Sequence, residues 1–349
     1  TQSTWDQSST MAKQNLFFSL LFVSLTIHSL PQTQADTCQN STRRLFVFGD
    51  SYLDTGNAVP QFASWRAPYG MTVGEPSGRF SDGLLWTDLL ASYMGLDPLT
   101  PYARVDESNQ TTTRNGVNFA VSSSSVFRNP FNFTMDVYMD QFRELAEGSA
   151  FNQCDLKNSI AFVSITINDY FYKNATVPFP PYTVAVVAQL AANLQILHTF
   201  GIGKIAVASL PPLGCMPPFA TDTAFPGNCN RDMNEVSKRH NSILRAAVDV
   251  LNMANKEKSV EYVDFFGGFL AAMDQHMKTV SKEYSNPTKP CCVGIGGHWC
   301  GDVDREGKSL YKVCNQPSES FFFDGVHPAQ HGWQLVFNAL KDDIKKLLA

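Results

Sequence analysis

The stretch that decides the fold is LFVFGDSYLDTGN, residues 45–57. It begins as an apolar run, Leu45–Gly49, which is typical of a buried strand, and then changes abruptly to Asp50 and Ser51. In open α/β sheets, chemical groups gather in the loops that follow the carboxyl ends of the strands. Ser51 therefore lies where a nucleophile is expected, and its hydroxyl needs a base that takes its proton.

Beyond this stretch, apolar β-branched runs alternate with patterns of helical spacing. Four further strands are predicted: Gly116–Ala120, Ser159–Ile165, Lys204–Leu210 and Val260–Phe266. Helices are predicted at Leu84–Gly95, Met135–Gly148, Tyr182–Gly201, 232–255 and Ala329–Leu348. This alternation predicts a flavodoxin-like, three-layer α/β/α sandwich around a mostly parallel five-stranded sheet.

Composition limits the function classes. The 349 residues are 44% hydrophobic and 17% charged, and the formal net charge of −5 argues against a nucleic-acid partner. The sequence shows neither an internal repeat nor a long Pro or Ser/Gly linker, so residues 36–349 are interpreted as a single domain, expected to be monomeric.

The first 35 residues have a different character. Residues 1–10 precede Met11 and are set aside as upstream sequence. Residues 11–35 combine a short basic start, an interrupted apolar run and Ala35 before a cleavage point, which is the layout of a secretory signal peptide. The alternative, a membrane anchor, would need about 20 apolar residues, so no transmembrane span is predicted.

The eight cysteines agree with export. An even number in an exported chain indicates disulfides, and Cys215 and Cys229 bracket a Pro-rich loop as a natural pair. A zinc site with His298 is the weaker alternative for the crowded cysteines in an oxidising compartment. Those cysteines are Cys291, Cys292, Cys300 and Cys314, while Cys38 and Cys154 lie earlier in the chain. Four sequons predict glycosylation at Asn40, Asn109, Asn132 and Asn174.

The motif FFFDGVHPAQHGW supplies a base for Ser51. Asp324 and His327 lie three residues apart on one loop, where a carboxylate can orient the imidazole and stabilise its charged form. A metal pair of His327 with His331 lacks an evident third ligand. The other histidines are assigned elsewhere: His28 to the leader, His198, His240 and His276 to helical patterns, and His298 to the Cys-rich loop.

An acyl-transfer site also needs donors for a developing oxyanion. Asn168 follows a predicted strand and is one candidate, although Asn-Asp is equally good turn chemistry. Leu53 replaces the final glycine of the G-x-S-x-G elbow, so Ser51 does not belong to the α/β-hydrolase scaffold. Arg79 is interpreted as structural. The aromatic residues Trp86, Phe131 and Phe133 are candidates for an acyl pocket, although such residues are more often core.

The blocks FVFGDSYLDTGN, GVNFA, INDY and DGVHP occur in this order. With PSGRFSDG at Pro76–Gly83 and LPPLGCMP at Leu210–Pro217, they cover most of the chain after residue 36, which resembles the plant GDSL esterase/lipase family of the SGNH hydrolase superfamily. The resemblance implies that Ser51 is the nucleophile, His327 the general base and acid, and Asp324 its orienting partner. It also implies oxyanion donors at Asn168 and at the Ser51 backbone N–H.

Two positions depart from the pattern that the resemblance implies. Ser123 lies where the family has a glycine that supplies a third oxyanion donor, and Tyr52 replaces a leucine. A serine keeps the backbone N–H but adds bulk and does not share all of the conformations of glycine. The departure at Ser123 therefore puts rate and substrate choice in doubt more than the type of reaction.

The expected function is that of a secreted plant serine esterase or lipase, in the cell wall, apoplast or vacuole, that acts on small-molecule or lipid esters without a cofactor. Two alternatives stay open. An acyltransferase on specialised metabolites would use the same triad with an alcohol as acceptor. A catalytically weak binding protein is favoured by the Ser-rich second block but has little need of Ser51, Asn168, Asp324 and His327 together.

Overall fold

The computed structural model describes Cys38 and residues 43–106, 108–148, 150–221 and 223–349. The predicted signal peptide and Asn40 lie outside these residues. Within them, no helix has the length and apolar character to cross a membrane. Cys38–Ala349 form one compact unit.

The centre of the unit is a parallel sheet, and the predicted α/β fold is confirmed. Its strands are β1 Leu45–Gly49, β2 Thr100–Pro101, β3 Gly116–Asn118, β4 Ile160–Ser164, β5 Lys204–Ala208 and β6 Val260–Val263. They pair in parallel in the order β2-β3-β1-β4-β5-β6, so β1 lies between β3 and β4. The prediction of five strands was one short, because β2 at the sheet edge has only two residues and no periodicity to detect.

Helices cover the sheet, and the residues of β1 and β4 are accordingly all buried. The two longest helices of the described residues are α5 Phe179–Thr199 and α6 Arg231–Asn255. The other helices are α1 Trp86–Tyr93, α2 Met135–Glu147, α3 Gln153–Lys157, α4 Ile167–Phe171, α7 Phe265–Thr279, α8 Gln330–Ala339 and α9 Lys341–Leu348.

Several predicted boundaries differ from those of the structure, and two of the differences have a local cause. The strand expected through Phe266 ends at Val263, because the Asp264 side chain caps α7 by accepting a hydrogen bond from the Gly267 N–H at 3.1 Å. The sequence predicts a single helix at Ala329–Leu348, but the structure has two helices that meet at Leu340. The buried Leu340 side chain occupies the space left by the absent side chain of Gly268 on α7, which accounts for the break.

Disulfides link all eight cysteines. The pairs are Cys38–Cys154, Cys215–Cys229, Cys291–Cys314 and Cys292–Cys300. The last two flank a small antiparallel hairpin of β7 Cys292–Gly294 and β8 Tyr311–Val313. These pairings leave no thiolate in the hairpin that could bind zinc beside His298, which removes the zinc alternative.

Candidate active site

Ser51 lies in a tight turn directly after the central strand β1. The turn forms because the N–H groups of Leu53 and Asp54 both donate to the Asp50 carbonyl, at 3.0 Å each. Gly49 permits this path, since a Cβ there would lie 2.5 Å from the Ser164 carbonyl oxygen on β4. Ser51 is 8% exposed, so its hydroxyl faces a restricted opening.

Hydrogen bonds join the three side chains that the sequence singled out. His327 Nε2 lies 2.7 Å from Ser51 Oγ, and His327 Nδ1 lies 2.9 Å from Asp324 Oδ1 and 2.8 Å from Oδ2. Asp324 and His327 share one loop before α8, which closes through a bond from the Phe323 N–H to the His327 carbonyl at 2.8 Å. This geometry can remove a proton from Ser51 and stabilise the resulting imidazolium.

Asp324 is held as a buried carboxylate. The backbone N–H groups of Val326 and His327 donate to Oδ1, both at 2.8 Å. Burial favours the neutral acid, but the neighbouring His327 and the hydrogen bonds outweigh it and hold the pKa of Asp324 below its usual range. The carboxylate therefore stays charged opposite the imidazole.

Sequence reasoning missed three aromatic residues around the triad. The Tyr69 hydroxyl donates to Asp324 Oδ2 at 2.8 Å, and its ring is buried. Phe80 stacks on the His327 ring with centroids 4.7 Å apart. The Tyr52 hydroxyl donates to the Val326 carbonyl at 2.8 Å, so the residue that departs from the family leucine fixes the histidine loop. Nothing in the spacing of Tyr69 or Phe80 pointed to these contacts.

Asn168 and Ser123, two of the expected oxyanion donors, lie on separate segments that a hydrogen bond connects. Asn168 is the second residue of α4, which follows β4, and it donates through Nδ2 to the Ser124 carbonyl at 2.8 Å. An amide has two N–H bonds, so one is left for a substrate oxygen. Ser123 adopts the left-handed conformation, with φ of 67°. Glycine enters this region without the steric cost that serine bears, so a family glycine has a physical reason at this position.

Two buried acids fix the Ser-rich segment. Asp54 accepts hydrogen bonds from the Ser122 N–H and hydroxyl, both at 2.8 Å. Asp169 accepts from the N–H groups of Val126 and Phe127, at 3.0 Å each. These bonds tie the segment to the Ser51 turn on one side and to α4 on the other, so Ser123 and Asn168 are held in a defined arrangement.

Asp50 is the least satisfied polar group of the site. Its Oδ1 accepts the Tyr52 N–H at 3.0 Å, while its buried Oδ2 has no hydrogen-bond partner among the described residues. Burial raises the pKa of Asp50 to about 7, and burial likewise raises the pKa of Asp169 to about 7. The two acids also repel each other electrostatically when both are ionised.

The remaining histidines have other surroundings. His240 is buried against the Tyr170 hydroxyl at 2.8 Å, and burial lowers its pKa to about 3. His276 Nε2 lies 2.8 Å from the Tyr284 carbonyl oxygen. Because a carbonyl oxygen can only accept, Nε2 is the donor of this hydrogen bond. His331 packs against the His276 ring, with centroids 5.5 Å apart. The alternative His327–His331 metal pair is not formed, since Asp324 and Ser51 occupy both nitrogens of His327.

The other candidates divide between structure and surface. Arg79 forms an ion pair with Asp88 at 2.8 Å, in line with the structural interpretation. Trp86 is fully buried and Phe133 packs against the core, so neither lines an open acyl pocket. Phe131 is 43% exposed.

Known proteins resemble this chain in sequence, and solved structures match it more weakly. A family model for GDSL-like lipase/acylhydrolase matches residues 45–340. A GDSL esterase/lipase of Arabidopsis thaliana is 38% identical over 311 residues, 86% of each chain, and a second is 36% identical over 316 residues, 87% of this chain and 89% of its own. A solved member of the lipolytic G-D-S-L family from Veillonella parvula has 10% identity and a TM-score of 0.40, covering 86% of this chain and 97% of that chain.

The match of the family model extends from β1 to Leu340, and it includes the turn with Ser51 and the loop with Asp324 and His327. The identity to the plant relatives extends over most of both chains. The chain therefore belongs to the GDSL lipase/acylhydrolase family and is a carboxylic ester hydrolase.

Proposed function

We propose that the protein hydrolyses carboxylic esters through an acyl-serine intermediate on Ser51. The observation that carries the proposal is the continuous hydrogen-bonded series from Ser51 Oγ through His327 to Asp324. A serine hydroxyl is a weak nucleophile, and an imidazole within hydrogen-bond distance is the standard means of activating it.

In the first half of the reaction, Ser51 Oγ attacks the ester carbonyl carbon while its proton passes to His327 Nε2. The oxyanion is stabilised by the free N–H of the Asn168 amide and by the backbone N–H groups of Ser51 and Ser123. The C–O bond to the leaving group then breaks, and Nε2 returns its proton to that oxygen. The products are an alcohol and acyl-Ser51.

In the second half, water replaces the alcohol. His327 Nε2 takes one proton from the water while the water oxygen attacks the acyl carbon. When the second tetrahedral species collapses, the proton passes to Ser51 Oγ and the carboxylic acid leaves. Asp324 keeps its negative charge throughout and stabilises the imidazolium.

The protein is further proposed to be secreted and glycosylated. Support comes from the leader pattern of residues 11–35, from four disulfides, and from the exposed positions of Asn109, Asn132 and Asn174. Expression with the native leader, followed by glycosidase treatment of the medium, tests this. Retention of the uncleaved chain inside the cell would contradict it.

A fluorophosphonate probe tests the catalytic proposal directly, because it labels only an activated serine. The wild type, Ser51→Ala and His327→Ala are compared for labelling and for turnover of p-nitrophenyl acetate and butyrate, with circular dichroism as the folding control. Labelling and turnover lost in both variants are expected. A folded wild type that takes no label would refute the proposal and favour a binding protein.

A further inference from the structure

A series of neighbouring aromatic rings extends away from His327. Phe80 stacks on the imidazole with centroids 4.7 Å apart, and Phe62 lies edge-on to Phe80 at 6.1 Å. Both are partly exposed. They come from separate turns of the long connection between β1 and α1, so the tertiary fold and not local sequence aligns them.

The same series continues to the oxyanion side. Phe131 lies 5.9 Å from Phe62, and Tyr172 lies 5.7 Å from Phe131. The Tyr172 hydroxyl lies close to the side chain of Ser123. Phe80, Phe62, Phe131 and Tyr172 thus form an aromatic arc that connects the proposed base with a proposed oxyanion donor.

Three of the four rings of the arc lie outside the core, whereas Phe80 packs against the smaller hydrophobic cluster that contains Tyr69 and Phe323. In the described part of the chain, Phe62, Phe131 and Tyr172 pack into neither hydrophobic cluster. Phe131 is 43% and Tyr172 42% exposed. Large exposed apolar side chains grouped beside a reactive residue indicate a binding surface.

The order of the arc assigns its ends to different parts of an ester. The leaving oxygen must lie beside His327 Nε2, because it receives its proton from there. Phe131 and Tyr172 lie at the opposite end of the arc, where Tyr172 is close to Ser123. They therefore face the acyl part of the substrate and not the alcohol.

We propose that the aromatic arc binds the acyl group, and that it favours esters of aromatic acids over those of long aliphatic acids. The proposal deepens the proposed function and rests on it. A planar ring stacks one face on Phe131 and keeps its other face in water, which suits a half-exposed surface. A long alkyl chain gains binding energy only when most of its length is buried.

The test compares three p-nitrophenyl esters that share a leaving group: acetate, octanoate and benzoate. The variant Phe131→Leu keeps an apolar side chain but loses the ring, and Phe131→Tyr restores the ring. The ratio of kcat/KM for benzoate to that for octanoate is expected to fall about three- to tenfold in Phe131→Leu, the size of one aromatic contact, and to recover in Phe131→Tyr. Trp299→Leu is the matched control, since Trp299 is 75% exposed on the disulfide hairpin and is not part of the arc.

The outcomes separate the two proposals. Values of kcat/KM for octanoate and benzoate that are both unchanged in Phe131→Leu, or a ratio that falls equally in Trp299→Leu, overturn the arc while esterase activity continues. An equal loss on octanoate and benzoate overturns the preference for aromatic acids. A wild type that hydrolyses none of the three esters and takes no fluorophosphonate label overturns the proposed function itself.

Discussion

The hydrogen bond from Tyr69 to Asp324 gives a prediction that is specific to this fold. Asp324 Oδ2 is shared between the Tyr69 hydroxyl and His327 Nδ1, at 2.8 Å each. Tyr69→Phe removes one donor and keeps the ring packed against Phe323. Oδ2 then keeps His327 Nδ1 as its partner, and the charged form of Asp324 loses one stabilising hydrogen bond.

The magnitude follows from the strength of a hydrogen bond to a charged acceptor, about 1.5–3 kcal/mol. The free energy of unfolding is expected to fall by about this amount, since a buried carboxylate loses a donor. The lost bond stabilises the charged form of Asp324, whose pKa lies below its usual range, so its loss raises that pKa. Since one pH unit corresponds to about 1.4 kcal/mol and only part of the bond energy is expressed in the reaction, the acid limb of the kcat/KM profile is expected to move to higher pH by as much as about 1 unit. The assay measures p-nitrophenyl butyrate hydrolysis from about pH 4 to about pH 9.

Tyr311→Phe provides the matched control. The Tyr311 hydroxyl donates to the Ala67 carbonyl at 3.0 Å, two residues before Tyr69, and is not bonded to Asp324. Its acid limb is expected to coincide with that of the wild type. An acid limb in Tyr69→Phe that stays in place, or that moves to lower pH, would refute the reasoning.

Three further predictions concern the surroundings of Ser51. Asn168→Ala is expected to lower kcat about 100- to 1,000-fold with little change in KM, as for the loss of one oxyanion donor; stopped assays with p-nitrophenyl acetate measure it, and a loss below tenfold would argue against the role. The pKa of Asp50 rises from 3.8 to about 7 on folding, so between these pH values the folded protein keeps a proton that the unfolded chain has lost, and stability falls by about 1.4 kcal/mol per pH unit as pH rises. Asp50→Asn should remove this contribution, so urea unfolding at pH 5 and pH 7 should show a pH-dependent difference from the wild type, and a constant difference would contradict the assignment. Ser123→Val should be less stable than Ser123→Gly by at least about 1 kcal/mol, because a β-branched residue tolerates the left-handed conformation poorly; equal melting temperatures would rule this out.

The sequence by itself determined the parts of the protein that depend on short stretches. Apolar runs and helical spacing located five of the six strands of the parallel sheet, because periodicity and burial act over a few residues. Asp324 and His327 could be paired from the sequence because three residues of chain keep them in reach of each other, and in the structure their side chains are hydrogen-bonded. Beyond this, the motif blocks and their order indicated the family.

Only the tertiary structure decided the contacts between distant segments. Ser51 and His327 are 276 residues apart, and Tyr69 and Asp324 are 255 apart. The parallel order of the sheet brings the loops after β1, β3 and β4 to one edge, and that convergence builds the aromatic arc and the support of the triad. No local pattern encodes it, because the partner of a side chain such as Tyr69 is fixed by how whole elements pack and not by its own neighbours in the chain.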